Sequence, residues 1–124
     1  MMKIVKLSET NSLEICKIIG FAIRSRSIVI GYDNILNYKK HELLILANAF
    51  LSERTINKLK KLSESKKHVL FLIDNFKMLM LKANINVLGV TNSEMTKRII
   101  YLISNFEGEV NEHRKENTTE KIND

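Results

Sequence analysis

Proline and tryptophan are absent from the 124 residues, and cysteine occurs once. Without proline, the turns have to be built from glycine, asparagine and serine. A single cysteine excludes an intramolecular disulfide and a cysteine-based metal site. Cys16 stands in an apolar run, which predicts a small buried side chain, and such sparse use of cysteine fits a reducing cytoplasm.

Glycine is scarce as well, and its four residues lie far apart. They are Gly20, Gly31, Gly89 and Gly108. A phosphate-binding loop needs closely spaced glycines so that backbone amides can approach the anion. The spacing therefore excludes nucleotide-binding loops of the P-loop and dinucleotide types.

No group of residues has the spacing of an active site or a metal site. The three histidines, His41, His68 and His113, are not paired in a way that would place two imidazoles on one helix face. Cys16 has no base placed beside it, and the acidic residues are scattered over different segments. We therefore expect no catalytic residues, no metal and no cofactor, and we expect that the protein is not an enzyme.

Long apolar runs are also missing. No stretch reaches the ~18 apolar residues of a membrane span. Lys3 and Lys6 lie near the start, but no long apolar segment follows them, as it would in a secretory signal. Neither membrane insertion nor secretion is expected, and the predicted location is the cytoplasm.

Positive charge is abundant and unevenly distributed. The chain has 20 basic and 14 acidic residues, a formal charge of +6. Residues 107–124 contain six acids and three bases, which leaves +9 on residues 1–106. A body this basic favours a polyanionic partner through long-range attraction and counterion release. The alternative is a solvated lysine-rich surface in a chain that is generally rich in Ile, Asn and Lys.

Hydrophobic periodicity predicts helices that alternate with buried strands. The predicted helices span 12–25, 32–40, 53–67, 75–82 and 93–105, and the predicted strands span 27–31, 43–47, 68–73 and 86–90. The predicted fold class is α/β, a three-layer α/β/α sandwich around a small mixed sheet. We expect a lead-in at 1–11, a single domain at 12–106 and a flexible polar tail at 107–124.

Four cations bracket the strand and helix predicted between residues 27 and 40. Arg24 and Arg26 precede this unit, and Lys39 and Lys40 follow its helix. We expect them to gather around the start of that helix, where free backbone amides and the helix dipole also favour a phosphate. The basic residues are thus the main indication of a binding site.

Five short segments follow one another along the chain: 17–24 (KIIGFAIR), 28–31 (IVIG), 43–47 (LLILA), 52–55 (SERT) and 90–92 (VTN). In this order and spacing they resemble the ribosomal protein L-seven-Ae family of kink-turn RNA-binding proteins, including its bacterial YlxQ-like members. The resemblance covers roughly residues 13–105. It implies an α/β/α sandwich that binds sharply bent RNA.

In that family, the segment that reads RNA begins at the glycine matching Gly31 and continues into the next helix. The resemblance assigns its polar positions to Asp33, Asn34 and Asn37. Asn34 has both a donor and an acceptor for a guanine edge, whereas Asn37 replaces a lysine and lacks its charge. Arg26 replaces the family's glycine after the first helix.

The family's glycine-containing loop before the last strand, which packs against the flipped-out nucleotide, corresponds to residues 82–86 and contains no glycine. The complete set of predicted RNA-binding residues is Arg24, Arg26, Gly31, Asp33, Asn34, Asn37, Lys39, Lys40 and Lys82. The expected partner is structured RNA, foremost ribosomal RNA, with no preference for DNA and no membrane. A ribosomal protein or translation factor is a candidate protein partner.

Two other functions remain open at this stage. A protein-interaction adaptor on the same fold is motivated by the missing lysine at Asn37 and by the Met-rich segment 78–81. A small-molecule enzyme is motivated only by the α/β layout, which does not by itself determine chemistry.

Overall fold

The computed structural model describes residues 4–79, 81 and 84–113, with side chains described as far as residue 104. In this part of the chain, five strands alternate with four helices and one 3₁₀ turn. The strands are β1 (Ile4–Val5), β2 (Ile28–Ile30), β3 (Leu44–Asn48), β4 (Val69–Ile73) and β5 (Val87–Val90). The helices are α1 (Glu9–Arg24), α2 (Tyr32–Asn37), α3 (Glu53–Lys66) and α4 (Ser93–His113), and the 3₁₀ turn is Phe76–Leu79.

The strands form one mixed sheet in the order β1-β4-β3-β5-β2. β4 is parallel to both β1 and β3, whereas β5 is antiparallel to β3 and to β2. β1, β2, β3 and β4 therefore all run in one direction. We call the end where these four strands terminate the carboxyl end of the sheet, and the end where they begin the amino end of the sheet.

Helices cover both faces of the sheet, which confirms the predicted α/β class and its three layers. On one face, α1, α4 and the 3₁₀ turn bury a core that includes Ile15, Phe76 and Ile99. On the other face, α2 and α3 bury a second core through Ile35 and Leu59. The described residues form a single domain around these two cores.

The apolar run at the start of β3 shows why this strand could be recognised from sequence. Leu44 and Leu46 join the core under α1 and α4, while Ile45 and Ala47 join the core under α2 and α3. All four are almost completely buried. Because alternate side chains of a strand point to opposite faces, a strand covered on both sides has to be apolar throughout.

Side-chain caps determine where three helices begin. The Ser8 hydroxyl accepts from the Asn11 amide at 3.0 Å, and this starts α1 three residues earlier than predicted. Ser52 caps α3, with its hydroxyl accepting from the amide of Thr55. Asn92, directly before α4, accepts from the Met95 amide at 2.9 Å, so this residue, and not Ser93, satisfies the free amide there.

Several predicted boundaries were wrong. The lead-in 1–11 contains β1, which pairs with the end of β4, and the helix predicted at 75–82 is only the 3₁₀ turn. The helix predicted at 32–40 ends at Asn37. α4 continues to His113, so the first part of the predicted tail is helical. The prediction ended this helix too early because apolar periodicity reports burial against the sheet and not helicity itself. Residues 114–124 of the predicted tail lie outside the described residues.

Candidate nucleic-acid interface

The predicted RNA-binding residues are divided between the two ends of the sheet. Arg26 lies just before β2, at the amino end of the sheet, and Gly31 lies just after β2, at the carboxyl end. Five residues of extended chain separate them by about 16 Å at roughly 3.3 Å per residue. The strand that joins the two positions in sequence therefore holds them apart in space.

The three other predicted cations that the structure describes belong to the amino end of the sheet as well. Arg24 is the last residue of α1, and Lys39 lines a cleft there beside His68, which precedes β4. Lys40 follows Lys39 in the same connection to β3. The expectation that these cations gather around the start of α2 was therefore wrong, since that helix starts at the opposite end of the sheet.

Gly31 makes the turn between β2 and α2 in a conformation that other residues rarely adopt. Its φ of 97° and ψ of 150° lie in a region that is almost restricted to glycine. Its amide donates to the carbonyl of Val87 at 3.1 Å, and its carbonyl accepts from the amide of Ile35 at 3.1 Å. These hydrogen bonds attach the turn to the start of β5. The backbone conformation of the turn therefore explains why a glycine stands at this position.

The polar residues that follow Gly31 are exposed on α2. Asn34 Nδ2 donates to the Ile30 carbonyl at 2.8 Å, so this side chain already caps the end of β2. Its Oδ1 has no such partner among the described residues and is the group that remains for a ligand. Asp33 and Asn37 are exposed, and Lys82 lies outside the described residues.

A pair of asparagines joins the next two strands at the same end of the sheet. Asn48, which ends β3, donates from Nδ2 to the Asn86 Oδ1 at 3.0 Å, and its backbone amide donates to the Asn86 carbonyl at 2.8 Å. Asn86 directly precedes Val87, which accepts from Gly31. The turn at Gly31 and the loop after β3 therefore lie on either side of the same short backbone segment, Asn86 and Val87.

The loop after β3 presents an aromatic side chain that sequence reasoning missed. Phe50 is 75% exposed, and its amide donates to the Asn48 Oδ1 at 3.0 Å, which holds the turn in place. An exposed phenylalanine among amide side chains is the kind of group on which an unpaired base stacks. Its position in the short loop between a buried strand and a capped helix was the available signal.

The amino end of the sheet is built on helix C-termini that end in cations. Arg26 has a φ of 59°. Its amide donates to the Ile23 carbonyl at 3.2 Å, and the Ser27 amide donates to the Ala22 carbonyl at 2.7 Å. These two bonds form a Schellman motif, in which glycine normally occupies the left-handed position. Arg26 therefore occupies a conformation that glycine would adopt with less strain.

Cations near helix C-termini also have a purely structural explanation. Lys66 is in the last turn of α3, Lys67 follows it with a φ of 60°, and Arg24 closes α1. Positive charge at these positions interacts favourably with the partial negative charge of the helix end. The basic residues here consequently have a role in the fold whether or not they contact a phosphate.

Titratable groups give no indication of catalysis among the described residues. No group of three or more metal-ligating side chains is found in this part of the chain. Burial, with a smaller contribution from Lys66, lowers the pKa of His68, while Glu42 acts in the opposite direction. Cys16 is only half-buried, contrary to the prediction, and burial raises the pKa of its thiol. A raised thiol pKa disfavours the nucleophilic thiolate.

Comparison with known proteins supports the fold alone. No family model matches the chain, and no curated protein matches it. Among solved structures, the chain is similar to a protein of unknown function from Bacillus halodurans, with a TM-score of 0.64 and 20% sequence identity. That similarity covers 73% of this chain and 96% of the other.

No described helix combines the length and apolarity needed to span a membrane.

Proposed function

We propose that the protein binds structured RNA through the carboxyl end of the sheet. The observation that carries this proposal is the combination of amide and aromatic groups there: the exposed Asn34 and Phe50, and between them the half-buried Asn48–Asn86 pair. Amides hydrogen-bond base edges and aromatic rings stack on unpaired bases, which is how proteins read single-stranded loops and bulges of RNA. The resemblance to kink-turn RNA-binding proteins supports the same end of the molecule through Gly31 and Asn34.

The basic body supplies the complementary contribution. Residues 1–106 carry +9, and RNA attracts such a surface at long range whichever base sequence it has. In this proposal, RNA phosphates are contacted by Arg24, Lys39 and Lys40. These residues lie at the amino end of the sheet, so an RNA bound at the carboxyl end must be long enough to reach them. Ribosomal RNA is the proposed partner, and the cytoplasm is the proposed location.

A filter-binding assay with total ribosomal RNA at several salt concentrations tests this function. We expect retention at low salt, with an affinity that falls steeply as salt rises, because bound cations release counterions from the RNA. An unrelated duplex DNA of equal length is the matched competitor, and it should displace the RNA poorly. No retention at low salt, or retention that does not depend on salt, would rule the function out.

A protein-interaction adaptor is the second candidate, and the outer surface of α1 favours it. Leu13, Phe21 and Ile23 are all exposed on this helix. Among the described residues of the Met-rich segment, Met78 is exposed, whereas Leu79 is buried in the core. Co-purification of a protein partner that survives nuclease treatment would favour the adaptor. Loss of every partner after nuclease treatment would leave RNA binding as the function.

A further inference from the structure

A cleft at the amino end of the sheet collects cationic and hydrogen-bond-donating side chains away from the proposed RNA-reading face. Its volume is about 440 Å³. The lining side chains are Tyr38, Lys39, His41, Glu42, Lys66 and His68. A second cleft of about 410 Å³ adjoins it and shares His41 and Glu42. We refer to the two adjoining clefts together as the depression.

His68 has a donor in this region that the protein leaves unused. The Leu43 amide donates to His68 Nδ1 at 2.9 Å, so the neutral imidazole carries its hydrogen on Nε2. Nε2 is buried and has no hydrogen-bond partner among the described residues. Buried donors without a partner are rare in folded proteins, and an acceptor atom of a ligand would satisfy this one.

The charges around His68 favour an acceptor that is negatively charged. Lys39 and Lys66 are exposed in the same cleft, and neither forms an ion pair with another described residue. Glu42 is the one acid in the lining of either cleft. His41 is held in the wall by an edge-to-face contact with Tyr38, with 5.8 Å between the ring centroids.

The adjoining cleft adds further donors. Ser93 and Thr96 contribute hydroxyl groups from the first turn of α4, and Lys67 and Lys97 bring the lysines of the two clefts to four against the single Glu42. Hydroxyl, ammonium and imidazole N–H groups together suit an anion with several acceptor oxygens.

We propose that this depression is a phosphate-binding site, in which the buried Nε2 of His68 and the ammonium groups of Lys39 and Lys66 hold the phosphate oxygens. The phosphate is either a free anion or part of an RNA backbone, since both present the same oxygens. Lys39 is also one of the cations that the proposed function places on RNA phosphates, so binding of an RNA backbone here rests on that function. Binding of free phosphate and base reading at the carboxyl end of the sheet, by contrast, can each fail without the other.

The side-chain ¹H–¹⁵N resonances of His68, followed by NMR at pH 7.5, report on this site directly. Inorganic phosphate is titrated into the full chain, with chloride replaced so that ionic strength stays constant. We expect a saturable shift of the His68 imidazole signals. The double variant Lys39→Ala, Lys66→Ala should weaken the phosphate affinity at least tenfold, whereas Lys58→Ala, which removes an exposed lysine from α3 outside both clefts, should not change it.

A third variant separates the role of the imidazole from that of the lysines. In His68→Asn, the side-chain oxygen can still accept from the Leu43 amide, but the Nε2 donor is lost. We expect this protein to fold, as judged by its amide spectrum, and to bind phosphate more weakly than the native protein. For this variant, binding is followed through the His41 resonances.

A uridine decamer distinguishes the two sources of phosphate. If the site serves an RNA backbone, the decamer shifts the same His68 signals at a lower phosphate concentration than the free anion. If it serves free phosphate only, the decamer leaves these signals in place while inorganic phosphate moves them. The proposal is overturned if neither ligand moves the His68 resonances, or if the Lys39→Ala, Lys66→Ala protein responds as strongly as the native protein.

Discussion

The two ends of the sheet differ in the chemistry they present to a ligand. The carboxyl end has an exposed amide at Asn34, a half-buried amide at Asn48 and an exposed aromatic ring at Phe50, which are groups that can hydrogen-bond base edges or stack on bases. The amino end has cations beside helix C-termini, as at Arg26 and Lys67, and these attract the phosphates of an RNA of any base sequence. Affinity and specificity for RNA are thus expected from different places on one small domain.

The largest expected effect comes from removing charge at the amino end of the sheet. Changing Arg24, Lys39 and Lys40 together to Ala should lower RNA affinity by about 100-fold at 50 mM salt, if each contacts one phosphate. The loss should be similar for unrelated RNAs, and the slope of log affinity against log salt should fall by about 2. Filter binding on two unrelated RNAs measures both quantities.

Asn34→Ala is the counterpart at the other end of the sheet. It should reduce the preference for a kink-turn over an unrelated RNA, with little change in the salt slope. If Asn34→Ala weakened all RNAs equally, or the triple variant weakened only one, the assignment of the two ends would be incorrect.

Two exposed phenylalanines provide a matched test of stacking. Phe50→Ala should weaken binding to an RNA loop by about 2 kcal/mol, because base stacking on an aromatic ring contributes roughly 1–3 kcal/mol. Phe21→Ala removes a ring that is 60% exposed and lies under the Arg24 guanidinium, 4.7 Å from its centroid, near the amino end of the sheet. Equal losses for the two variants, measured by fluorescence anisotropy, would contradict base stacking at Phe50.

Much of the fold was predictable from the sequence, because burial leaves a clear pattern. The strand predicted at 43–47 and the helix predicted at 53–67 were both recognised to within one residue at each end, as β3 and α3. The two-residue strand β1 was not, since so short a segment has no periodicity and is defined by its distant pairing with β4. Similarly, the contact of Asn48 with Asn86 depends on strand order, which local patterns do not contain.

The candidate site was predicted less completely than the fold. The sequence singled out Gly31 and Asn34 as candidate RNA-binding residues, and the structure adds the backbone geometry that explains the glycine. The error was to expect Arg26 beside them. Arg26 precedes β2 and Gly31 follows it, so the length of this strand separates the two residues. Phe50 was missed because a single aromatic residue in a loop has no pattern around it.

The turns on either side of β2 should respond in opposite ways to substitution. Gly31→Ala should lower the free energy of unfolding by about 1–2 kcal/mol, because its backbone conformation strains any residue with a Cβ. Arg26→Gly should raise it by up to about 1 kcal/mol, since its left-handed conformation favours glycine. Urea denaturation measures both values, and a stabilising Gly31→Ala would contradict the turn geometry.

The smallest expected effect is a pH dependence of stability centred on His68. Its lowered pKa means that the folded protein favours the neutral imidazole, which accepts from the Leu43 amide. The unfolded chain takes up a proton near the ordinary value of about 6.5. The stabilisation is therefore present above that pH and is lost as the pH falls through the lower pKa of the folded state.

Urea denaturation between pH 7.5 and pH 5 measures this effect. His68→Asn should flatten the acid side of the profile, whereas His41→Asn, at an exposed position, should keep the native slope. Identical profiles for the native protein and His68→Asn would show that another group is responsible.

Crosslinking by ultraviolet light in cells, followed by mass spectrometry of the attached peptides, tests the division between the two ends most directly. Base-reading contacts form crosslinks more readily than phosphate contacts do, because the ultraviolet light excites the bases. We predict RNA attached to the peptide that contains Phe50, with ribosomal RNA as the main species. Absence of crosslinked RNA, or crosslinks confined to peptides that contain Arg26, Lys39 or Lys67, would contradict RNA reading by the carboxyl end of the sheet.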